Sequence, residues 1–169
     1  MRVRLATNAD CAQLQAVELS ANRRFADVGM DDVAMEPAPD AAAWEPHCAN
    51  SNLWVSVDAQ DRPFGFLAAG PMGSFLFLYE LAVAHDHQRQ GAGHALLSAA
   101  EAGARALGLG EVFLTTFRDV PFNAPYYQRR GYRMVADEDL PAALQPVMDA
   151  ERQRWSAPGR WRCAMRKCV

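Results

Sequence analysis

A nine-residue apolar run that gives way to a glycine turn and then to an amphipathic stretch constrains this chain more than any other feature. Residues 75–107 read FLFLYELAV, AHDHQ and RQGAGHALLSAAEAGARAL. The run is apolar apart from Glu80 and carries aromatic rings at Phe75, Phe77 and Tyr79. Too short for a buried helix and rich in strand formers, it predicts a central strand covered on both faces. Downstream, Leu96, Ala99, Gly103, Ala106 and Leu107 recur at a spacing of three to four, which predicts one apolar face of a helix. Between them lies Gln88-Arg89-Gln90-Gly91-Ala92-Gly93. The first N–H groups of a helix have no intrahelical partner and sit at the positive end of its dipole. Without Cβ atoms at Gly91 and Gly93, a phosphate can approach those groups closely. The stretch predicts a pyrophosphate cradle.

Two common phosphate-binding patterns do not fit. The turn lacks the Lys-Ser/Thr that ends a P-loop, and it lacks the three-glycine dinucleotide spacing with its trailing acid. It does resemble the phosphate-binding motif of the GNAT superfamily of acyl-CoA-dependent N-acyltransferases, Gln/Arg-x-x-Gly-x-Gly/Ala. Gln88, Gly91 and Gly93 stand at the matching positions, after Leu81-Ala82-Val83 on the strand and before Ala95-Leu96-Leu97 on the helix. A second stretch resembles the same family: Tyr127-x-x-x-Gly131-Tyr132 matches its Tyr-x-x-x-Gly-Phe/Tyr motif. The run from Leu114 through Asn123-Ala124-Pro125-Tyr126-Tyr127 is similar to a bacterial subgroup with a proline-and-asparagine loop at this place. Asn123 stands nearer to the tyrosine than the asparagine of many members does.

The rest of the chain, read in order, agrees with that arrangement. Residues 2–6 predict a first strand, and Thr7 with Asp10 three residues on predicts a capped helix whose apolar stripe is Leu14, Val17 and Ala21, running to about Phe25. Glu18 lies near that stripe, as a solvated flank carboxylate or as part of an acceptor pocket. Residues 27–50 carry three prolines and scattered acids and predict a loop with short helices, resuming near Asp40. Residues 53–57 alternate like a half-buried strand, residues 64–69 return as its hairpin partner, and residues 70–73 turn into the central strand. Gly108 to Gly110 predicts a helix stop, residues 111–117 a strand parallel to the central one, and Asn123 an N-cap with Pro125 in the first turn. Residues 132–136 predict a strand, 140–153 a polar helix and 161–165 a closing strand. No domain boundary is visible, so residues 1–169 read as a single domain.

Composition narrows the partners. A net charge of −3 and a pI near 5.8 disfavour nucleic acid or an anionic membrane as the main partner. No run approaches the ~20 apolar residues of a membrane span. The N-terminal residues show no apolar export core, and Cys11, Cys48, Cys163 and Cys168 lack disulfide or zinc spacing. The expectation is a cytoplasmic protein with free thiols. His85-Asp86-His87 has no third ligand at recognisable spacing, so no metal is expected.

The resemblance implies an α/β (α+β) GNAT fold: a mixed, mostly antiparallel sheet of about six or seven strands, with a splayed parallel pair at its centre and helices on both sides. It implies acetyl-CoA as co-substrate, its pantetheine arm along Leu81, Ala82 and Val83 and its pyrophosphate over Gln88, Arg89, Gln90, Gly91, Ala92 and Gly93, with His94 nearby. Asn123 and Tyr127 would reach the pantetheine and the sulfur. Phe25, Met30, Met35 and Trp44 become candidates for the acceptor pocket or ordinary packing. Val83 N–H would stabilise the oxyanion, and Tyr127 would protonate the departing thiolate.

The residues themselves speak to the base. An alkylammonium must lose a proton before it attacks, and Glu80 is the one charge within the buried run. A carboxylate there is costly unless paired, hydrogen-bonded or neutralised, so Glu80 is either the base and ammonium binder or a structural carboxylate. Strand alternation predicts that it faces away from Tyr79 and Leu81. Asp119 is a second candidate, in a loop. No cysteine lies in either motif, which disfavours an acyl-enzyme. The expected activity is direct acetyl transfer to a primary amine, small molecule or peptide; the alternative is a non-catalytic acyl-CoA sensor. A homodimer through an exposed final strand is a further expectation.

Overall fold

The computed structural model describes all 169 residues. Seven strands form one mixed sheet in the order β1-β2-β3-β4-β5-β7-β6, flanked by helices. The strands are β1 (Arg2–Leu5), β2 (Leu53–Val57), β3 (Pro63–Met72), β4 (Phe75–Val83), β5 (Glu111–Phe117), β6 (Arg133–Met134) and β7 (Arg162–Cys168). The helices are α1 (Asn8–Asn22), α2 (Asp31–Ala34), α3 (Ala41–Ala49), α4 (Ala92–Ala106), α5 (Ala124–Gln128) and α6 (Gln145–Arg154). Backbone contacts divide the chain into two compact units. One holds Met1–Gly70 with Tyr79–Gly103, the other Pro71–Leu78 with Ala104–Val169.

In the first unit, β1 and β2 pair antiparallel, as do β2 and β3. The start of α1 agrees with the sequence: Thr7 donates its backbone N–H and its hydroxyl to the Asp10 carboxylate. Arg4 adds a two-pronged ion pair to the same carboxylate. Leu53, Val55 and Val57 turn to one side of the sheet and pack with Phe66, Ala68 and Ala82 against Cys11, Leu14 and Val17 of α1 and Trp44 of α3. Trp54 turns the other way, to α4. β2 is therefore buried on both faces rather than half-buried.

The second unit is built on the end of β4 that precedes Tyr79 and on the chain from Ala104 onward. β4 and β5 run parallel, registered from Leu76↔Val112 to Leu78↔Leu114. β7 pairs antiparallel with β5 on one side and with β6 on the other. The core combines Phe75, Phe77, Phe113 and Ala164 with Leu144 and Met148. Because β7 is flanked on both sides, the final strand is not the exposed edge that the sequence suggests.

Several expectations shift. β3 runs on through Pro71 and Met72, so the turn is confined to Gly73-Ser74, with Gly73 at φ +63°. α1 ends at Asn22 and a 3₁₀ turn over Arg23–Val28 carries Phe25. β6 is only two residues long, although Val135 N–H still reaches Ala164 O at 3.0 Å. α6 begins at Gln145, after Pro141. The buried face of α4 is Ala92, Leu96, Leu97, Ala100 and Ala104, not the expected stripe, and Leu107 is 54% exposed.

Gly103 survives that correction for a different reason. A Cβ placed there would meet Trp54 Cζ2 at 2.7 Å, so the helix comes this close to the indole only with glycine. Gly103→Ala gains helix propensity but overpacks a buried ring. It is expected to lower the unfolding free energy by about 1–2 kcal/mol, read by urea denaturation; a variant more stable than the wild type would refute the contact.

Candidate active site

Within the first unit, β4 leaves strict alternation at Glu80. Tyr79 lies 3.2 Å from a Cβ built on Gly70 and its ring is tilted against His47 of α3 at 4.9 Å, while Ala82 packs with α1 and with Trp44 of the same α3. Two residues three apart thus share the face covered by α1 and α3, which a regular pleat forbids. The irregularity falls on Glu80-Leu81, and plain alternation does not describe Glu80. Its Oε1 accepts the Leu81 N–H at 3.1 Å. Leu81 and Val83 are half-buried and Ala82 is buried.

Glu80 has a carboxylate neighbour from α1. Glu18 is 8% exposed, and its Oε2 is buried without a hydrogen-bond partner. Burial, with the neighbouring Glu80 and Glu36 carboxylates adding to it, pushes the Glu18 carboxyl up to about 8. Two like charges in a low-dielectric region favour a shared proton over double ionisation. The sequence alone leaves Glu18 between a helix flank and an acceptor pocket; its meeting with Glu80 joins positions far apart in the chain and carries no local signal.

The turn after β4 is braced by its own side chains. Gln88 donates from Nε2 to Val83 O at 3.0 Å and accepts from Arg24 at 3.3 Å. Gln90 Nε2 donates to Asp86 O at 3.0 Å. Arg89 and Gly91 both take left-handed backbone conformations, φ +59° and +91°. No atom lies within 4 Å of a Cβ built on Gly91, so space beside the start of α4 is open. Ala92 is buried, Gly93 half-buried, and His94 projects outward. The first helical bond is Ala95 N–H to Gly91 O at 3.0 Å, which leaves the preceding N–H groups at the positive helix end. His87 stacks on Phe64 at 4.4 Å, and Ser20 accepts the His85 N–H.

The remaining acceptor candidates of this unit separate. Met30 and Trp44 are buried, Trp44 edge-on to Phe66 at 5.0 Å; Phe25 is half-buried and Met35 largely exposed. His47, which the sequence offers no reason to choose, holds Ala69 O at 2.9 Å through Nδ1. A carbonyl only accepts, so Nδ1 carries a proton.

In the second unit, Asn123 occupies the N-cap position of α5, but its side chain does not cap the helix. Its Nδ2 donates to Thr116 Oγ1 of β5 at 2.7 Å, and its carbonyl accepts from Tyr126 and Tyr127 N–H. The asparagine thus fastens α5 to its own strand. Tyr127 is half-buried, edge-on to Tyr126 at 5.3 Å and to Tyr132 at 5.7 Å. Burial pushes the Tyr126 phenol up. Asp119 is exposed and paired to Arg118 through both oxygens, which holds its carboxyl below the usual range and makes it a poor base.

These features meet a family pattern. A model of the acetyltransferase (GNAT) family matches residues 17–132, from the half of α1 that carries Glu18 through both motifs. The chain belongs to the acetyltransferase (GNAT) family. The amino-acid acetyltransferase of Azotobacter vinelandii (strain DJ / ATCC BAA-1303) is 40% identical over 73 residues, 43% of this chain and 16% of that protein. N-acetylglutamate synthase from Neisseria gonorrhoeae, solved with coenzyme A and N-acetyl-glutamate, superposes with TM-score 0.69 at 18% identity. That match covers 99% of this chain and 35% of the synthase, so the chain spans well under half the length of either relative. A GNAT-family acetyltransferase from Staphylococcus aureus MU50 superposes with TM-score 0.73 at 15% identity, covering 99% and 98% of the two chains. No helix is long and apolar enough to cross a membrane.

The raised Glu18 carboxyl has a consequence for stability. Between its ordinary 4.5 and about 8 the folded state holds a proton that the unfolded state has released. Stability is therefore greatest at the acid end of that window and falls as pH rises through it. Glu18→Gln, which cannot ionise, is expected to flatten this part of the melting-temperature profile and to melt above the wild type at pH values beyond the window. Parallel profiles for the two proteins would place the proton elsewhere.

Proposed function

We propose that this enzyme transfers the acetyl group of acetyl-CoA directly to a primary amine, small molecule or peptide, in a ternary complex. The observation that carries the reading is Glu80, a carboxylate in an apolar strand, anchored on the Leu81 N–H and set beside the buried Glu18. An acceptor enters as an ammonium and must lose a proton before its lone pair can attack a thioester carbonyl. Glu80 takes that proton, directly or through water. Holding amine and thioester together supplies up to ~7–11 kcal/mol of the barrier through lost entropy already settled on binding.

The remaining roles come from the chemistry at each position. The glycine turn and the start of α4 receive the pyrophosphate, with Arg89 beside them as a counter-charge. Gln88 holds the turn to the end of β4 rather than reaching for phosphate, since both ends of its amide are engaged. Leu81, Ala82 and Val83 offer backbone groups to the pantetheine, and the Val83 N–H is the oxyanion donor in this reading. Tyr127 gives its phenolic proton to the CoA thiolate as the C–S bond breaks, and the new C–N bond completes the amide. Asn123 sets the start of α5 and so the direction of Tyr127. Residues 1–169 act as one catalytic domain, and the four free thiols suit a reducing cytoplasm.

Tyr127→Phe is expected to lower kcat by about 10²–10⁴, the usual worth of a positioned acid, with the Kd for acetyl-CoA unchanged by calorimetry. Glu80→Gln should cost a similar factor and steepen the dependence on pH above neutrality. Tyr126→Phe serves as the neighbouring control and should lose little. Full amine-dependent thiol release in Tyr127→Phe would remove the acid assignment. Tight acetyl-CoA binding with no release from any amine would favour the sensor.

A further inference from the structure

The residue whose placement the family motifs do not account for is His47, near the end of α3. Its ring is fixed from several sides. Nδ1 holds Ala69 O of β3 at 2.9 Å. The backbone closes the same connection: Asn52 N–H donates to His47 O at 2.8 Å, and Ala69 N–H donates to Asn52 O at 2.9 Å. His47, Asn52 and Ala69 thus form a closed loop of three hydrogen bonds that sets the end of α3 and the imidazole against β3. Trp44 of the same helix lies at 6.2 Å from the ring and Tyr79 at 4.9 Å. Tyr79 is placed in its turn by Gly70, where a Cβ would meet Tyr79 Cε2 at 3.2 Å and the phenol oxygen at 3.7 Å. His47 is half-buried and Tyr79 is 45% exposed. With Nδ1–H given to a carbonyl, the neutral imidazole is held in one tautomer and presents its lone pair at Nε2. To satisfy Ala69 O the fold needs one donor, which a simple amide would supply; the imidazole adds a second nitrogen.

We propose that His47 Nε2 and the half-exposed ring of Tyr79 hold the acceptor as an ammonium before it gives up its proton. This rests on the transferase reading above and names the acceptor contacts of that site. Both groups favour the same chemistry: the face of a phenol ring attracts a cation, and the imidazole lone pair accepts one of its N–H bonds. Their place in the fold agrees. Tyr79 directly precedes Glu80, to which that reading gives the removal of the proton. β2 sends Trp54 to α4 and Leu53, Val55 and Val57 to α1 and α3, so the helix that opens from the glycine turn and the helix that carries His47 lie on opposite faces of the sheet. CoA bound at the turn leaves the α3 face to the acceptor. Because both rings are set in advance, little side-chain order is lost when the ammonium arrives. The contact acts on binding rather than on the chemical step, so it belongs in KM.

The test separates the two nitrogens of His47. In His47→Asn the amide nitrogen stands as many bonds from the backbone as Nδ1 and can still donate to Ala69 O, but nothing replaces Nε2. Binding of n-pentylamine, and of tetramethylammonium as a cation without N–H bonds, is read by NMR titration of the CoA-loaded protein. Transfer to n-pentylamine is read by thiol release from acetyl-CoA. His47→Asn is expected to weaken n-pentylamine binding and raise its KM about tenfold, the worth of a hydrogen bond to a charged group. Its kcat, acetyl-CoA affinity and melting temperature should change little, and it should bind tetramethylammonium like the wild type. Tyr79→Leu should weaken both cations, and Tyr79→Phe neither. Wild-type KM and Kd in His47→Asn would confine the imidazole to its clamp on Ala69 and overturn the proposal, as would equal cation affinities in Tyr79→Leu and Tyr79→Phe. Cation binding that depends on both residues, with no transfer from any amine, would support the subsite and remove the transferase reading. Transfer with a KM untouched by His47→Asn and Tyr79→Leu would overturn the subsite and leave the transferase standing.

Discussion

A strand buried on both faces has room for a charge only where its regular hydrogen bonding or pleat gives way. β4 keeps its parallel register with β5 from Leu76 to Leu78, and its alternation fails between Tyr79 and Ala82. Glu80 occupies that failure. In a regular pleat its carboxylate would be driven into apolar packing at a cost of several kcal/mol. The irregular backbone instead lets it accept the Leu81 N–H and stand beside Glu18. The chemistry available to the chain starts from this local break.

The turn between β4 and α4 is the electrostatic opposite. Its unpaired helix-start N–H groups, the left-handed Gly91 and the guanidinium of Arg89 make it a place for anions. Its rigidity comes from within, through Gln88 to Val83 and Gln90 to Asp86. A cradle braced in this way need not reorganise when a phosphate arrives, which lowers the entropy lost on binding.

Legibility in the sequence tracks the range of the interactions. β4, β5, the Thr7–Asp10 cap and the Gly108 stop are readable because each depends on residues a few positions apart. The phase of α4 is not, because its apolar positions are mostly alanines, small enough to face either way, and Trp54 decides which side comes close. Asn123 has the right position for a cap, but its side-chain amide is turned to donate to Thr116 Oγ1, seven residues back on β5. The burial of β2 on both faces and the flanking of β7 depend on pairing between distant strands. Glu18 is hidden for the same reason: nothing near it in the chain announces Glu80.

In the proposed reaction, the two signs of charge in the first unit would answer two different substrates. Anionic CoA calls for N–H groups and guanidinium; a protonated amine calls for carboxylate. Gln88 takes a hydrogen bond from Arg24 while its other end holds Val83 O. One amide thereby links the end of β4 to the helical turn that continues α1. A neutral amide is suited to that task, because it can donate to a carbonyl and accept from a guanidinium at once.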